Sequence, residues 1–181
     1  MRLENKNAII TGATGGIGFA TVSKYLDEGA NVMMVGRSED KLIEVHNRLG
    51  KPNNAAFCVA ESTDETAIRD SIQKTNDTFG SVDIVIANAG TEGVVQPLVD
   101  YSVQDFNHTL TVNVTGVWLY FKYAIPHMEN QGYGSIVAVA SGAGVVGFPG
   151  LCPYSASKHA VCGTVSYTHL RAHETVLDLV C

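Results

Sequence analysis

Four glycines fall within eight residues near the start of the chain: Gly12, Gly15, Gly16 and Gly18, in Thr11-Gly-Ala-Thr-Gly-Gly-Ile-Gly18. They stand between a short apolar run, Ala8 to Ile10, and a segment of helical period from Gly16 to Glu28. A strand-to-helix turn without Cβ atoms lets the backbone approach a pyrophosphate, and free N–H groups at the helix N-terminus then meet its charge. A tight turn holding no ligand is the plainer meaning of glycines alone. The strand before and the helix after favour the phosphate cradle. The chain has 18 glycines in 181 residues, about a tenth where ~7% is usual, and a second cluster follows at Gly142, Gly144, Gly147 and Gly150.

Beyond that turn, short apolar runs keep alternating with helical segments. Asn31 to Val35, Ala55 to Val59, Val82 to Ala87 and Ser135 to Ala140 are further strand candidates. Ser38 caps the helix whose Leu42, Val45 and Leu49 share a face. Ser62 and Glu65 have capping-box spacing before Ile68, Ile72 and Phe79, and Ser102 with Asp105 repeats it before a helical region running to about Glu129. Near-continuous apolar strands separated by helices predict an α/β fold. Its sheet is parallel, doubly wound and covered on both faces, the Rossmann arrangement. No repeat or linker interrupts it, so one domain is expected at this length.

Charge and cysteine usage narrow the function. Twelve Lys plus Arg against 18 Asp plus Glu give a net charge of -6, which repels a phosphate backbone and argues against nucleic acid as a partner. Cys58, Cys152, Cys162 and Cys181 form no C-x-x-C pair and read as free or buried thiols of a reducing compartment. No apolar run approaches the roughly 20 residues needed to span a bilayer, and Met1 to Asn7 is polar. The expectation is a cytoplasmic protein with no membrane association.

Elements far from the glycine turn point the same way. Ala87-Asn88-Ala89-Gly90 follows the fourth strand, Asn113 lies in Val-Asn-Val-Thr-Gly116, Ser141 follows the fifth strand, and Tyr154-Ser-Ala-Ser-Lys158 has the pattern Y-x-x-x-K. Together with T-G-x-x-x-G-x-G, these resemble the short-chain dehydrogenase/reductase family. Ala87 stands where the family's N-N-A-G element has its first Asn. The similarity covers residues 1 to about 164.

The resemblance implies an oxidoreductase that interconverts a ketone or aldehyde with an alcohol by hydride transfer. Its catalytic residues would be Asn113, Ser141, Tyr154 and Lys158. Four positions apart on a helix, Tyr154 and Lys158 share a face, so an ammonium there favours a phenolate and makes tyrosine usable as a general acid/base. Ser141 would hold the reacting oxygen. Lys158 would also bind the nicotinamide ribose. Asn113 would kink its helix and hold a water relaying protons from Lys158. The cofactor site would comprise Gly12, Thr14, Gly15, Gly16, Ile17, Gly18, Asn88, Ala89 and Gly90, together with Tyr154 and Lys158.

Cofactor choice is set at the end of the second strand, where a carboxylate would bind the adenosine ribose and repel a 2'-phosphate. Val35-Gly36-Arg37-Ser38 has no acid there. Arg37 with Ser38 favours NADP(H), NAD(H) being the alternative. After the third strand, Glu61 occupies the place of the family's Asp that meets the adenine amino group. No metal is expected, because His46, His108 and His127 have no ligand partners at suitable spacing, and His169 with His173, four apart, gives two ligands and not a site. Trp118, Tyr120, Phe121 and Tyr123 crowd one helix and suggest a subunit-packing face, a stack on the cofactor being the alternative, and the family resemblance implies a homo-oligomer.

The pattern breaks after the Tyr154 helix. Residues 165–181 lack the family's Pro-Gly turn, sixth strand and substrate-covering segment, and resemble a sequencing adaptor read through as coding sequence. The expectation is therefore a catalytic domain over 1–164, incomplete on its C-terminal side, followed by a non-family tail. A nucleotide-binding fragment without activity is the alternative to the enzyme.

Overall fold

The computed structural model describes residues 1–171 and 177–180, with side chains through Val165. His173 and Cys181 lie outside the described residues. The strands are β1 Asn7–Thr11, β2 Asn31–Gly36, β3 Ala55–Val59, β4 Ile84–Ala87, β5 Gly134–Ala138 and β6 Leu177–Val180. The helices are α1 Gly16–Asp27, α2 Glu39–Arg48, α3 Glu65–Phe79, α4 Val103–Leu110, α5 Gly116–Gln131 and α6 Cys152–Arg171. All the strand pairings are parallel, and the sheet runs β3-β2-β1-β4-β5-β6.

Side chains alternate across this sheet into two cores. On one face Ile9, Met33 and Val35 pack with Ile68 and Ile72 of α3, Phe121 and Met128 of α5 and Val161 of α6. On the other, Ile10, Val32 and Met34 pack with Val22 of α1 and Leu42 and Val45 of α2. Strands apolar on both faces are stable only between two helical layers, as the sequence predicted. The chain winds outward from β1 in both directions, so loops diverge at the C-terminal ends of β1 and β4 and leave a crevice there.

The expectation of five strands is corrected. Leu177–Val180 adds a sixth, in register with Gly134 to Val137 of β5. Without it the outer edge of β5 would present unpaired N–H and C=O groups, and a strand arriving after a helical crossover satisfies them. Leu-Asp-Leu-Val is short and has no flanking turn residues, so nothing but this open edge marks it.

Two local expectations also change. Asp64, not Ser62, caps α3: its Oδ1 accepts from the Ala67 N–H at 3.0 Å. Tyr120 and Phe121 are buried rather than an external packing face, Tyr120 also bordering the crevice, whereas Trp118 is exposed. The caps expected of Ser38 and Ser102 are present, Ser102 Oγ accepting from Asp105 N at 3.0 Å.

Candidate active site

The crevice between the β1 and β4 loops is a cleft of about 410 Å³. Its floor is the glycine turn. Gly12 has φ +63°, and a Cβ there would come within 2.9 Å of Asn88 Nδ2 and 3.0 Å of Ala89 Cα. A Cβ on Gly18 would overlap the Gly12 carbonyl oxygen, so α1 can start this close to the end of β1 only with glycine there. Gly15 caps α1 with no side-chain bond. Among the described residues nothing accepts from the N–H groups of Gly16, Ile17 or Gly18, which is the donor set a phosphate needs.

The turn is locked to the loop after β4 by an exchange that the sequence did not announce. Thr11 Oγ1 accepts from the N–H groups of Asn88 at 3.0 Å and Ala89 at 2.8 Å. Asn88 Nδ2 in return donates to the Thr11 oxygen at 2.9 Å. Asn88 thus lines the cleft and ties its two loops together.

A second group of residues meets at Gly90. A Cβ on Gly90 would lie 3.2 Å from Asn113 Oδ1 and 3.6 Å from Lys158 Nζ. Asn113 is fully buried in a single π turn, Thr111–Thr115, that joins α4 to α5. The widened turn rotates its side chain inward, a distortion common at functional sites. Oδ1 accepts from Thr91 N at 2.8 Å, and Nδ2 donates to Thr91 O at 2.8 Å and to Ser157 Oγ at 2.9 Å. Both amide hydrogens therefore have protein partners. The side chain clamps the β4 loop to α6 and has no hydrogen left to donate to a water.

Lys158 is 4% exposed; its Nζ donates to the Val139 oxygen at 2.8 Å and lies 5.7 Å from the centre of the Tyr154 ring. Burial pushes its pKa below the ordinary lysine value, with the nearby Cys162 thiol acting weakly in the opposite sense. Ser141 opens a short 3₁₀ turn, Gly142–Gly144, and its Oγ accepts from Ala143 N at 3.1 Å. That turn lies directly on α6: a Cβ on Gly144 would sit 3.0 Å from the Lys158 oxygen. Ser141 is thereby brought against the helix that carries Tyr154 and Lys158; none of the three is among the residues lining the cleft, and Lys158 Nζ approaches it at Gly90.

The family model for short chain dehydrogenases matches residues 6–178. The chain belongs to this family. It is 36% identical over 166 residues to short-chain dehydrogenase reductase 3a of Arabidopsis thaliana, spanning 91% of this chain and 64% of that protein. It is also 36% identical over 161 residues to the NADP-dependent (R)-specific alcohol dehydrogenase of Lentilactobacillus kefiri, spanning 88% of this chain and 64% of that one. Among solved structures, levodione reductase superposes with a TM-score of 0.93 at 27% identity, over 97% of this chain and 69% of that chain. NAD+-bound xylitol dehydrogenase superposes with a TM-score of 0.90 at 31% identity, over 94% of this chain and 66% of that chain. This short chain dehydrogenase thus spans less than two thirds of the length of its first curated relatives.

Within this short chain dehydrogenase the remaining expected residues separate into two sets. Thr14, Ile17, Arg37, Glu61, Ala89 and Gly90 line the cleft with the glycines. Glu61 Oε1 accepts from Ser62 N at 2.9 Å, which turns its carboxylate back on its own loop. Ser38 is not among the lining residues; its Oγ accepts from Lys41 N at 3.5 Å as the α2 cap. Thr11, Thr91 and Ser157 are the site residues that sequence reasoning missed. Thr11 could have been found as the polar residue closing an otherwise apolar strand, and Ser157 from its place inside Y-S-A-S-K. Among the described residues no His, Cys, Asp and Glu group could hold a metal, and no helix is long and apolar enough to cross a membrane.

Proposed function

We propose that this short chain dehydrogenase reduces a small carbonyl compound with NADPH, or runs the reverse oxidation. The carrying observation is that Lys158, buried beside the Tyr154 ring, meets the glycine-floored cleft at Gly90. The balanced reaction is ketone plus NADPH plus a proton giving alcohol plus NADP+. The cofactor supplies the hydride.

The chain's own residues supply the rest. The N–H groups of Gly16, Ile17 and Gly18 hold the pyrophosphate, and the glycines at 12 and 18 let it approach. Arg37 lines the cleft past the end of β2, is exposed, and makes no ion pair among the described residues, so its guanidinium is free for a 2'-phosphate. NADP(H) is on this ground preferred to NAD(H). The Tyr154 hydroxyl gives its proton to the carbonyl oxygen, Ser141 Oγ holds that oxygen, and Lys158 brings positive charge and the ribose contact. The unit of this function is residues 1–164, which contain all these groups.

The test is NADPH consumption by the chain with a panel of ketones and aldehydes, beside Tyr154→Phe. Turnover is expected with at least one carbonyl, falling about 100-fold or more in the variant. NADPH binding without turnover would instead leave a nucleotide-binding chain, and turnover unchanged in Tyr154→Phe would remove the tyrosine from the chemistry.

A further inference from the structure

Between Ser141 and Tyr154 the chain reads Gly142-Ala-Gly-Val-Val-Gly-Phe-Pro-Gly-Leu151-Cys-Pro, and no residue from 142 to 151 has a polar side chain. An apolar run of this kind ordinarily belongs in a core, yet Val145 is 75%, Val146 54% and Phe148 46% exposed. The loop after β4 adds to the same surface. A Cβ on Gly150 would lie 3.2 Å from Val95 Cγ1, and Val95 is itself 63% exposed.

These segments are fastened into a single wall. The Tyr101 hydroxyl sits 2.6 Å from both the Val94 and the Gly150 carbonyl oxygens, and Gln96 N donates to the Gly150 oxygen at 3.1 Å. Phe148 lies over Gly142, next to Ser141, and its N–H donates to Ser155 Oγ at 3.4 Å, next to Tyr154. The wall therefore abuts the two segments that carry Ser141 and Tyr154.

Part of its backbone is also occupied. The Gly142 oxygen accepts from Val145 N and Val146 N, the Ser141 oxygen from Gly144 N, and the Phe148 oxygen from Leu151 N. A polyol or sugar seated here would lose its water hydrogen bonds and meet methyl groups and a phenyl ring in exchange, which is costly. An apolar group would gain the burial that these exposed side chains offer.

We propose that the substrate of this enzyme is an apolar, aryl- or branched-alkyl-bearing carbonyl or alcohol, selected by the wall of Val95, Val145, Val146 and Phe148. This rests on the carbonyl/alcohol reading above and specifies its substrate class.

The test is binding to the 181-residue chain with saturating NADP+, followed by ligand-observed NMR, using 1-phenylethanol and sorbitol as probes. The expected result is that 1-phenylethanol binds at least about tenfold more tightly. Phe148→Ser is expected to remove most of that preference and Phe148→Leu to keep it. Val145→Ser, at a solvent-facing position that folding tolerates, is expected to shift it in the same direction as Phe148→Ser. Equal or tighter sorbitol binding, no 1-phenylethanol binding, or a preference untouched in both serine variants overturns the inference. Acetophenone turnover is measured separately. Selective 1-phenylethanol binding without turnover counts against the reductase reading while the apolar wall stands.

Discussion

Lys158 donates to the Val139 main-chain oxygen at 2.8 Å, so the ammonium beside Gly90 is held by the segment after β5 that also leads to Ser141. Among the described residues no carboxylate neutralises it, and burial lowers its pKa. The consequence for stability has a definite sign. Below the lowered folded value the lysine is protonated in both states, and its desolvation penalty is fully present. Above the ordinary ~10.4 it is neutral in both states, and the penalty is gone. Relative to Lys158→Met, the protein therefore gains stability as pH rises toward ~10.4. Melting temperatures of the two proteins across the alkaline range check this, and a parent that stays level with or falls further below Lys158→Met as pH rises would contradict it.

The glycine turn makes a paired prediction. A Cβ at Gly18 overlaps the Gly12 carbonyl, whereas nothing lies within 4 Å of one at Gly16. Gly18→Ala is expected to lose about 1–3 kcal/mol in chemical denaturation and to weaken dinucleotide binding at least tenfold. Gly16→Ala is expected to stay within ~0.5 kcal/mol of the parent in stability. Any loss of NADPH affinity in Gly16→Ala then reports crowding of the ligand rather than damage to the fold.

Thr11 isolates the clamp between the two loops. Thr11→Val keeps the shape but leaves the Ala89 N–H without its acceptor, while the Asn88 N–H keeps the Ile86 oxygen at 3.0 Å, an expected cost of about 1–3 kcal/mol. Thr11→Ser restores the oxygen and is expected to recover most of the loss. Denaturant midpoints for the three proteins check the order parent, Ser, Val.

Much of this was legible in the sequence because its causes are local. Ala8 to Ile10 and Ala55 to Val59 are apolar enough to be strands wherever they fall, and Gly18 must be glycine because α1 begins against the end of β1. Lys158 and Tyr154 share a face because four residues make about one helical turn. What the sequence concealed depends on partners brought from a distance. Asp64 outcompetes Ser62 as a cap through the path taken after β3. Tyr120 and Phe121 turn inward because α5 packs that face against α3 and the sheet. Leu177–Val180 is a strand because β5 offers it an open edge.

Arg37 offers a prediction about cofactor choice. Its guanidinium is exposed on the cleft wall, so removing it should affect a phosphate and little else. Arg37→Ala is expected to raise KM for NADPH by about tenfold or more with KM for NADH nearly unchanged, the weight of one charge-assisted contact. The NADPH effect is further expected to shrink at high salt, since the side chain is solvent-exposed. Parallel steady-state measurements with the two cofactors at low and high ionic strength check both statements. Equal losses for NADPH and NADH would mean that Arg37 shapes the loop instead of reading the phosphate.

Ser157 ties the π turn at Asn113 to the first turn of α6. Its Oγ accepts from Asn113 Nδ2 at 2.9 Å and donates to the Tyr154 main-chain oxygen at 2.7 Å, and it is fully buried. Ser157→Ala leaves one Asn113 amide hydrogen buried without a partner, so about 1–3 kcal/mol of stability is expected to be lost. Asn113→Ala removes the same hydrogen bond from the other side, together with the Thr91 contacts. Because both variants break one shared bond, their combination should cost less than the sum of the two, with a coupling of about 0.5–3 kcal/mol. A catalytic readout separates positioning from mere packing. If Ser157 acts by fixing the Tyr154 turn of α6, Ser157→Ala lowers kcat while KM for NADPH stays near the parent value, because the glycine turn is untouched. Additive stabilities, or a KM effect with kcat preserved, would show that Ser157 and Asn113 are independent packing residues.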